Sequence, residues 1–249
     1  MMSGGNELMH YGVLGMKWGV RRYQNKDGTL TNAGKKRLKE AAENIDQRNI
    51  TKEFINNYVD QTVSSMKLPK IDVYAKQYMR RQLTSIRLKQ EIESKVDMDK
   101  VKKMGYELID DEYTHGELVK RSKEGLTQKI NLVEIKDGIY RIVDNPNDAI
   151  IKADKFMGDS KTINKLTKDV ADEFYNDIKK YYDPTNDDGT VMTKEQHSSR
   201  MSPYLLRAHV ADNTLEICLD DDYIHGGHSL DAEIDMNTRK IIGGVSMNG

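Results

Sequence analysis

The densest chemistry in the chain lies in "DDDYIHGGHSLD", residues 220–231. Three consecutive carboxylates and two imidazoles could hold a divalent cation, because aspartate oxygens and imidazole nitrogens are ordinary ligands. The candidates are Asp220, Asp222, His225 and His228. Their spacing argues the other way. The aspartates are consecutive, whereas a calcium loop alternates its ligands, and the two histidines flank a Gly-Gly turn. An acidic loop between strands is the stronger reading, and no metal is assigned to it. A second pair, His115 and Glu117 in "YTHGE", could do acid–base work. No nucleophile can be identified beside it, so these read as polar loop residues. Cys218, the only cysteine, falls in an expected strand as a small apolar residue. A single cysteine excludes an internal disulfide and a cysteine-based zinc cluster within one chain. The phosphate-cradling glycine loop, the serine nucleophile elbow and the His-Glu-x-x-His zinc helix are all missing. The sequence therefore names no catalytic residue and calls for no cofactor.

Binding chemistry is better represented. "HYGVLGMKWGVRR", residues 10–22, holds three glycines, the only tryptophan and three basic residues. Each glycine costs about 0.8–1 kcal/mol against alanine inside a helix. Three of them make an isolated helix unfavourable, so order must come from contacts elsewhere. Trp18 offers a rigid apolar anchor and Lys17, Arg21 and Arg22 offer charge, the combination expected of a docking peptide. Gly12, Gly15 and Gly19 permit close backbone approach, and His10 and Met16 complete the candidate docking set. An arm folded back on its own chain is the competing reading. Further on, Lys35, Lys36, Arg37 and Lys39 of "GKKRLK" could neutralise phosphates of a nucleic acid. Glu40 and Glu43 dilute that field, so a solvated helix face is favoured over a nucleic-acid site.

The elements that must position these residues follow from spacing. Residues 1–30 are interrupted by glycines and close with an Asp27-Gly28 turn signal, which marks a flexible docking segment. A helical region is expected over 31–126, with Thr31 as the first N-cap. Its second helix runs from Thr51 through Phe54, Tyr58, Val59 and Met66. A third, from Ile71 to Lys95, turns Tyr74, Tyr78, Met79, Leu83, Ile86 and Val96 inward, and a fourth ends at Gly105. Residues 127–183 read as a hairpin over 129–143, turning at Asp137-Gly138, then an amphipathic helix capped by Asp159 or Ser160. That helix repeats Ile163, Leu166, Val170, Phe174, Ile178 and Tyr181 at helical spacing. A linker spans 184–200, and 201–249 reads as an antiparallel meander with strands near 203–210, 213–219, 228–235 and 239–246. The fold class is α+β.

Composition sets the remaining bounds. The 249 residues are 37% apolar and 32% charged with net charge −1, against roughly 45–50% and 25% for typical domains. Basic residues crowd the first fifty positions and acidic ones the last fifty. That polarity suits partners of opposite sign. No window reaches eighteen apolar residues, and the start lacks the order of a secretory signal, so no membrane partner is expected.

The stretch "HYGVLGMKWGVRRYQNKDGTLTNAGKKRL" resembles a cassette in proteins of tailed bacteriophages and prophages of Gram-positive bacteria. The pattern maps onto His10, Gly12, Gly15, Met16, Lys17, Trp18, Gly19, Arg21 and Arg22. It continues through Tyr23, Gln24, Asn25, Asp27, Gly28, Thr31, Gly34, Lys35, Lys36 and Arg37, so it covers residues 9–38. The resemblance implies a virion- or head-associated protein whose N-terminal segment docks to a phage structural component of the head or portal. It places the chain in the host bacterial cytoplasm during infection, or in the virion. The C-terminal "GGHSLDAEIDMNTRKIIGGVSMNG" separately resembles the end of small uncharacterised α+β domains, some of them associated with toxin-immunity loci. That resemblance supports a binding module over an enzyme, and the alternative function is a phage-encoded effector that binds a host protein through the acidic C-terminal domain.

Overall fold

The computed structural model describes residues 23, 25, 29–43, 56–61, 73–109, 116–136, 139–186, 188–220 and 224–248. The chain is an α+β protein that divides into two compact units, Met1–Leu83 and Thr84–Gly249. In the first unit, α1 (Asn32–Glu43) starts where the sequence places it. The Thr31 hydroxyl accepts a hydrogen bond from the Gly34 amide at 3.1 Å, satisfying one amide that the helix cannot. Residues 56–61 are helical inside the expected second helix, and Val59 is fully buried. An Asp60–Lys76 ion pair and a 2.9 Å bond from Arg80 Nε to Asn56 Oδ1 tie this turn to α2 (Val73–Lys95).

Helix α2 contains the boundary between the units. Its buried side includes Met79 and Leu83 as expected, with Val96 buried just past its end, while Tyr78 and Ile86, also expected inward, are half-buried. Leu88 and Ile92 are also fully buried, continuing the stripe in steps of four beyond the residues expected from the sequence. A short helix, α3 (Met98–Lys103), follows; the Asp97 side chain caps it, and the chain leaves it through Gly105 at φ +88°.

Three strands come next: β1 (Glu107–Ile109), β2 (Glu117–Arg121) and β3 (Thr127–Asn131). The expected hairpin is β4 (Val133–Lys136) with β5 (Ile139–Ile142), paired from Val133 with Ile142 to Lys136 with Ile139; its expected turn residues, Asp137 and Gly138, lie outside the described residues. Residues 129–131 do not belong to it, because β3 pairs with β2 on one side and with β6 on the other. Helices α4 (Pro146–Gly158) and α5 (Ser160–Ile178) then cross over to α6 (Lys194–Ser199). The chain ends in β6 (Ser202–His209), β7 (Thr214–Asp220), β8 (Ser229–Asp235) and β9 (Lys240–Asn248).

The last four strands form the antiparallel meander, each within two residues of its expected bounds. The sheet is larger than that meander. Its order is β1-β2-β3-β6-β7-β8-β9, and β3 runs parallel to β6, so the sheet is mixed. A parallel pair needs a long crossover, which the helices α4 to α6 supply. The core is shared by the sheet residues Leu118, Ile130, Leu206, Leu215, Ile217, Leu219, Leu230 and Ile234 and by Ile150, Met157, Leu166, Val170 and Phe174 of the helices. Each such side chain, fully buried, contributes roughly 1.5–3 kcal/mol. The expected divisions at residue 126 and across 184–200 fall inside this one unit. Within 184–200, Met192 is buried, and Thr193 with Gln196 forms a capping box at the start of α6. Tyr181, expected in the buried stripe of α5, is 85% exposed because that helix ends at Ile178. Among the described residues no helix is long and apolar enough to cross a membrane.

Candidate functional site

The docking set His10, Gly12, Gly15, Met16, Lys17, Trp18, Gly19, Arg21 and Arg22 lies outside the described residues. Tyr23, directly after Arg22, closes back onto residues 29–37. The Tyr23 carbonyl accepts from the Thr31 amide at 3.1 Å, and the Asn25 amide donates to the Thr29 carbonyl at 2.7 Å. The Asn25 side chain adds a 2.9 Å bond to Thr29 Oγ1. Arg37, two turns into α1, returns to the same point. Its Nη1 donates to the Tyr23 hydroxyl at 2.8 Å, and its guanidinium lies 5.1 Å from the centre of the Tyr23 ring. Gly34 makes this approach possible. A Cβ at that position would lie 2.3 Å from the Tyr23 carbonyl oxygen, closer than any side chain tolerates. Tyr23, Asn25, Thr31, Gly34 and Arg37 therefore form a clasp in which each residue has a local task.

The basic run is part of the same construction. Lys35, Lys36, Arg37 and Lys39 are all exposed on α1. Arg37 is engaged with Tyr23, Lys36 lies 3.7 Å from Glu40, and the Lys35 ammonium sits 5.9 Å from the centre of the Tyr78 ring. Three of the four cations thus have contacts within the chain, through Tyr23, Glu40 and Tyr78.

The acidic loop candidates do not gather into one site. Asp220 sits at the exposed end of β7, and Asp222 lies outside the described residues. Gly226 and Gly227 both adopt positive φ, a turn that only glycine enters without strain. His225, on one side of that turn, is buried and meets a residue that no local motif singles out. Its Nε2 lies 3.0 Å from Nε2 of His197, which is fully buried on α6. The His225 Nδ1 lies 2.9 Å from the Tyr182 hydroxyl. Phe174 and Tyr175 of α5 wall the pair, with ring centres 5.2 Å from His225 and 5.3 Å from His197. His228, on the other side of the turn, is half-buried. Among the described residues no three His, Cys, Asp or Glu side chains are grouped to hold a metal ion.

His115 lies outside the described residues, while Glu117 is a buried member of β2. Glu117 belongs to a charged face of the sheet that the sequence does not announce. Register sets Lys129 opposite Arg207 and Arg207 opposite Glu216. Arg207 reaches Glu117 at 3.0 Å and Glu216 at 2.5 Å, and Lys129 reaches Glu117 at 3.2 Å. His209, 3.8 Å away, and Arg207 pull the Glu216 carboxyl down to about 2. Burial, with Asp231 and Glu216 nearby, pushes the Cys218 thiol up to about 12, so it stays protonated and is a poor nucleophile near neutrality. A groove of about 650 Å³ runs along this face past Arg207, Glu216, Asp231 and Glu233 to Gly243 and Gly244 of β9.

Residues 3–25 match the model of a family of unknown function, DUF7211. No curated protein and no solved structure matches the chain.

Proposed function

We propose that the chain is a phage-encoded, virion- or head-associated protein that docks to a phage structural component through residues 10–22. The observation that carries the reading is the clasp from Tyr23 to Arg37. It puts a held residue, Tyr23, directly after a basic, tryptophan-bearing segment, bound by the Thr31 amide and Arg37 and approached closely by Gly34. A peptide anchored at one end loses less freedom on docking than a free one, which raises affinity without any added contact. Trp18 supplies the apolar anchor, and Lys17, Arg21 and Arg22 steer it to an acidic partner surface. The family match over residues 3–25 coincides with this segment and says nothing of its role.

Mass spectrometry of purified virions tests the proposal. The protein is expected in particles from wild-type infection and depleted from them when Trp18→Ala is combined with Arg21→Ala and Arg22→Ala. Its absence from virions of cells that express it at normal levels contradicts the proposal.

A further inference from the structure

We propose that the groove on the charged face of the sheet binds residues 10–22 of a second copy of this chain, which rests on the docking role proposed for that segment. The groove is short of positive charge. Register places Glu233 of β8 directly opposite Glu216 of β7, and Asp231 opposite Cys218. Like charges facing each other across an antiparallel pair are unfavourable unless a cation answers them. Arg207 is the only permanent cation among the described residues that line the groove, and it is already engaged with Glu117 and Glu216. Glu233 is exposed and makes no hydrogen bond or ion pair among the described residues. Asp231 takes the Asn248 side-chain amide on Oδ2, while its Oδ1 is buried with no hydrogen-bond partner among the described residues. Three carboxylates therefore line a groove of about 650 Å³, and two of them have no cation of their own.

The β9 side of the groove suits a segment with a large apolar side chain. Ile242, across from Glu233, is 42% exposed, and Val245 beyond it is half-buried. Gly243 and Gly244 lie between them at positive φ, and nothing lies within 4 Å of the place a Gly243 Cβ would take. That rim is open to the approach of another backbone.

Residues 10–22 offer the complement. They carry Lys17, Arg21 and Arg22 without a carboxylate, and they contain Trp18. Arginine and tryptophan are the residue types that dominate docking energetics. Arg21 or Arg22 supplies the cation that Glu233 and Asp231 lack, and Trp18 finds Ile242 beside them. Contact between copies asks for no particular arrangement of the two units within a chain. It runs from segment to groove, so every copy offers both halves and association extends beyond pairs unless a ring closes. Such a contact occupies the segment until an acidic surface of the particle displaces it.

Sedimentation velocity of the full chain over a range of concentrations is the test. Self-association is expected, and it weakens as salt is raised. It is lost in Glu233→Lys, and lost again when Arg21→Glu is combined with Arg22→Glu, with circular dichroism checking each fold. An equimolar mixture of the two variants restores it, because each then carries the complement of the other. Glu124→Lys makes the same charge change at an exposed residue that does not line the groove, and it leaves association intact. A full chain that stays monomeric at every concentration overturns the proposal. So does association unchanged in Glu233→Lys, equal loss in Glu124→Lys, or a mixture that stays apart. Glu233→Lys leaves residues 10–22 as they are, so its incorporation into virions reads the docking proposal separately.

Discussion

The clasp at Tyr23 and the charged face of the sheet are both polar constructions around an arginine, yet they are built on opposite terms. Arg37 reaches a partner fourteen residues away and stays exposed on α1. Arg207 joins Glu117, ninety residues back in sequence, to Glu216 on the neighbouring strand, and both its partners are largely shielded from water. An exposed ion pair or cation–π contact contributes on the order of 1 kcal/mol or less, whereas an unpaired charge in a shielded site costs several. The clasp is therefore suited to fixing the direction of the chain beside it. The sheet network holds together strands that are distant in sequence. Loss of the first should be read in docking, and loss of the second in stability.

The sharpest way to break that contrast is Arg207→Met, which leaves Glu117 and Glu216 facing each other across the gap. A destabilisation of about 3–5 kcal/mol is expected in urea unfolding, while Arg37→Met should shift the midpoint by no more than a few tenths of a kcal/mol. Equal losses in the two variants would erase the distinction.

Acid should expose the same network. The Glu216 carboxyl titrates near 2 when folded and near 4.5 when free. Its contribution is complete above pH 4.5 and is lost as pH falls from there toward 2. Glu216→Gln is expected to flatten that limb of the stability curve, measured by thermal melts between pH 5 and pH 2.

Gly34→Ala has a smaller effect and sets two forces against each other. Alanine favours the helix by about 0.8–1 kcal/mol. Its Cβ, however, would meet the Tyr23 carbonyl at 2.3 Å, and a backbone oxygen held by the Thr31 amide has little room to move. The clash should win, so Tyr23 is expected to leave Arg37. The Tyr23 ring resonances in an NMR spectrum would report its release, and unchanged resonances would show that Gly34 is not what the clasp requires. A further local change, Thr31→Ala, removes a cap worth about 1 kcal/mol. Amide exchange is expected to quicken in the first turn of α1 and nowhere in the sheet.

Residues differ in how plainly the sequence announces their places. The meander is legible because Leu215, Ile217 and Leu219 alternate with Glu216 and Cys218, and because turn residues separate the strands. Helix α5 is legible through its 3.6-residue repeat, up to the turn that turns Tyr181 outward. Strand β2 hides itself. Glu117, Leu118 and Val119 are all buried in succession, so no alternation survives, and the charge of Glu117 is compensated by Lys129 and Arg207 from other strands. The histidine pair is hidden for a similar reason. Thr193 and Gln196 announce a short helix, but nothing local to either residue says that His197 and His225, twenty-eight positions apart, will meet. By contrast Thr31 and Asn25 act within a few residues of their own position, where cap and turn chemistry can be read directly.

The most direct test of the docking segment compares particles formed with the full chain and with a chain lacking residues 1–22 but keeping Tyr23 and everything after it. Quantitative mass spectrometry of the purified virions is the measurement. The account predicts that the full chain is incorporated and the shortened chain, equally expressed and equally stable, is left in the lysate. Equal incorporation of the two chains would contradict it.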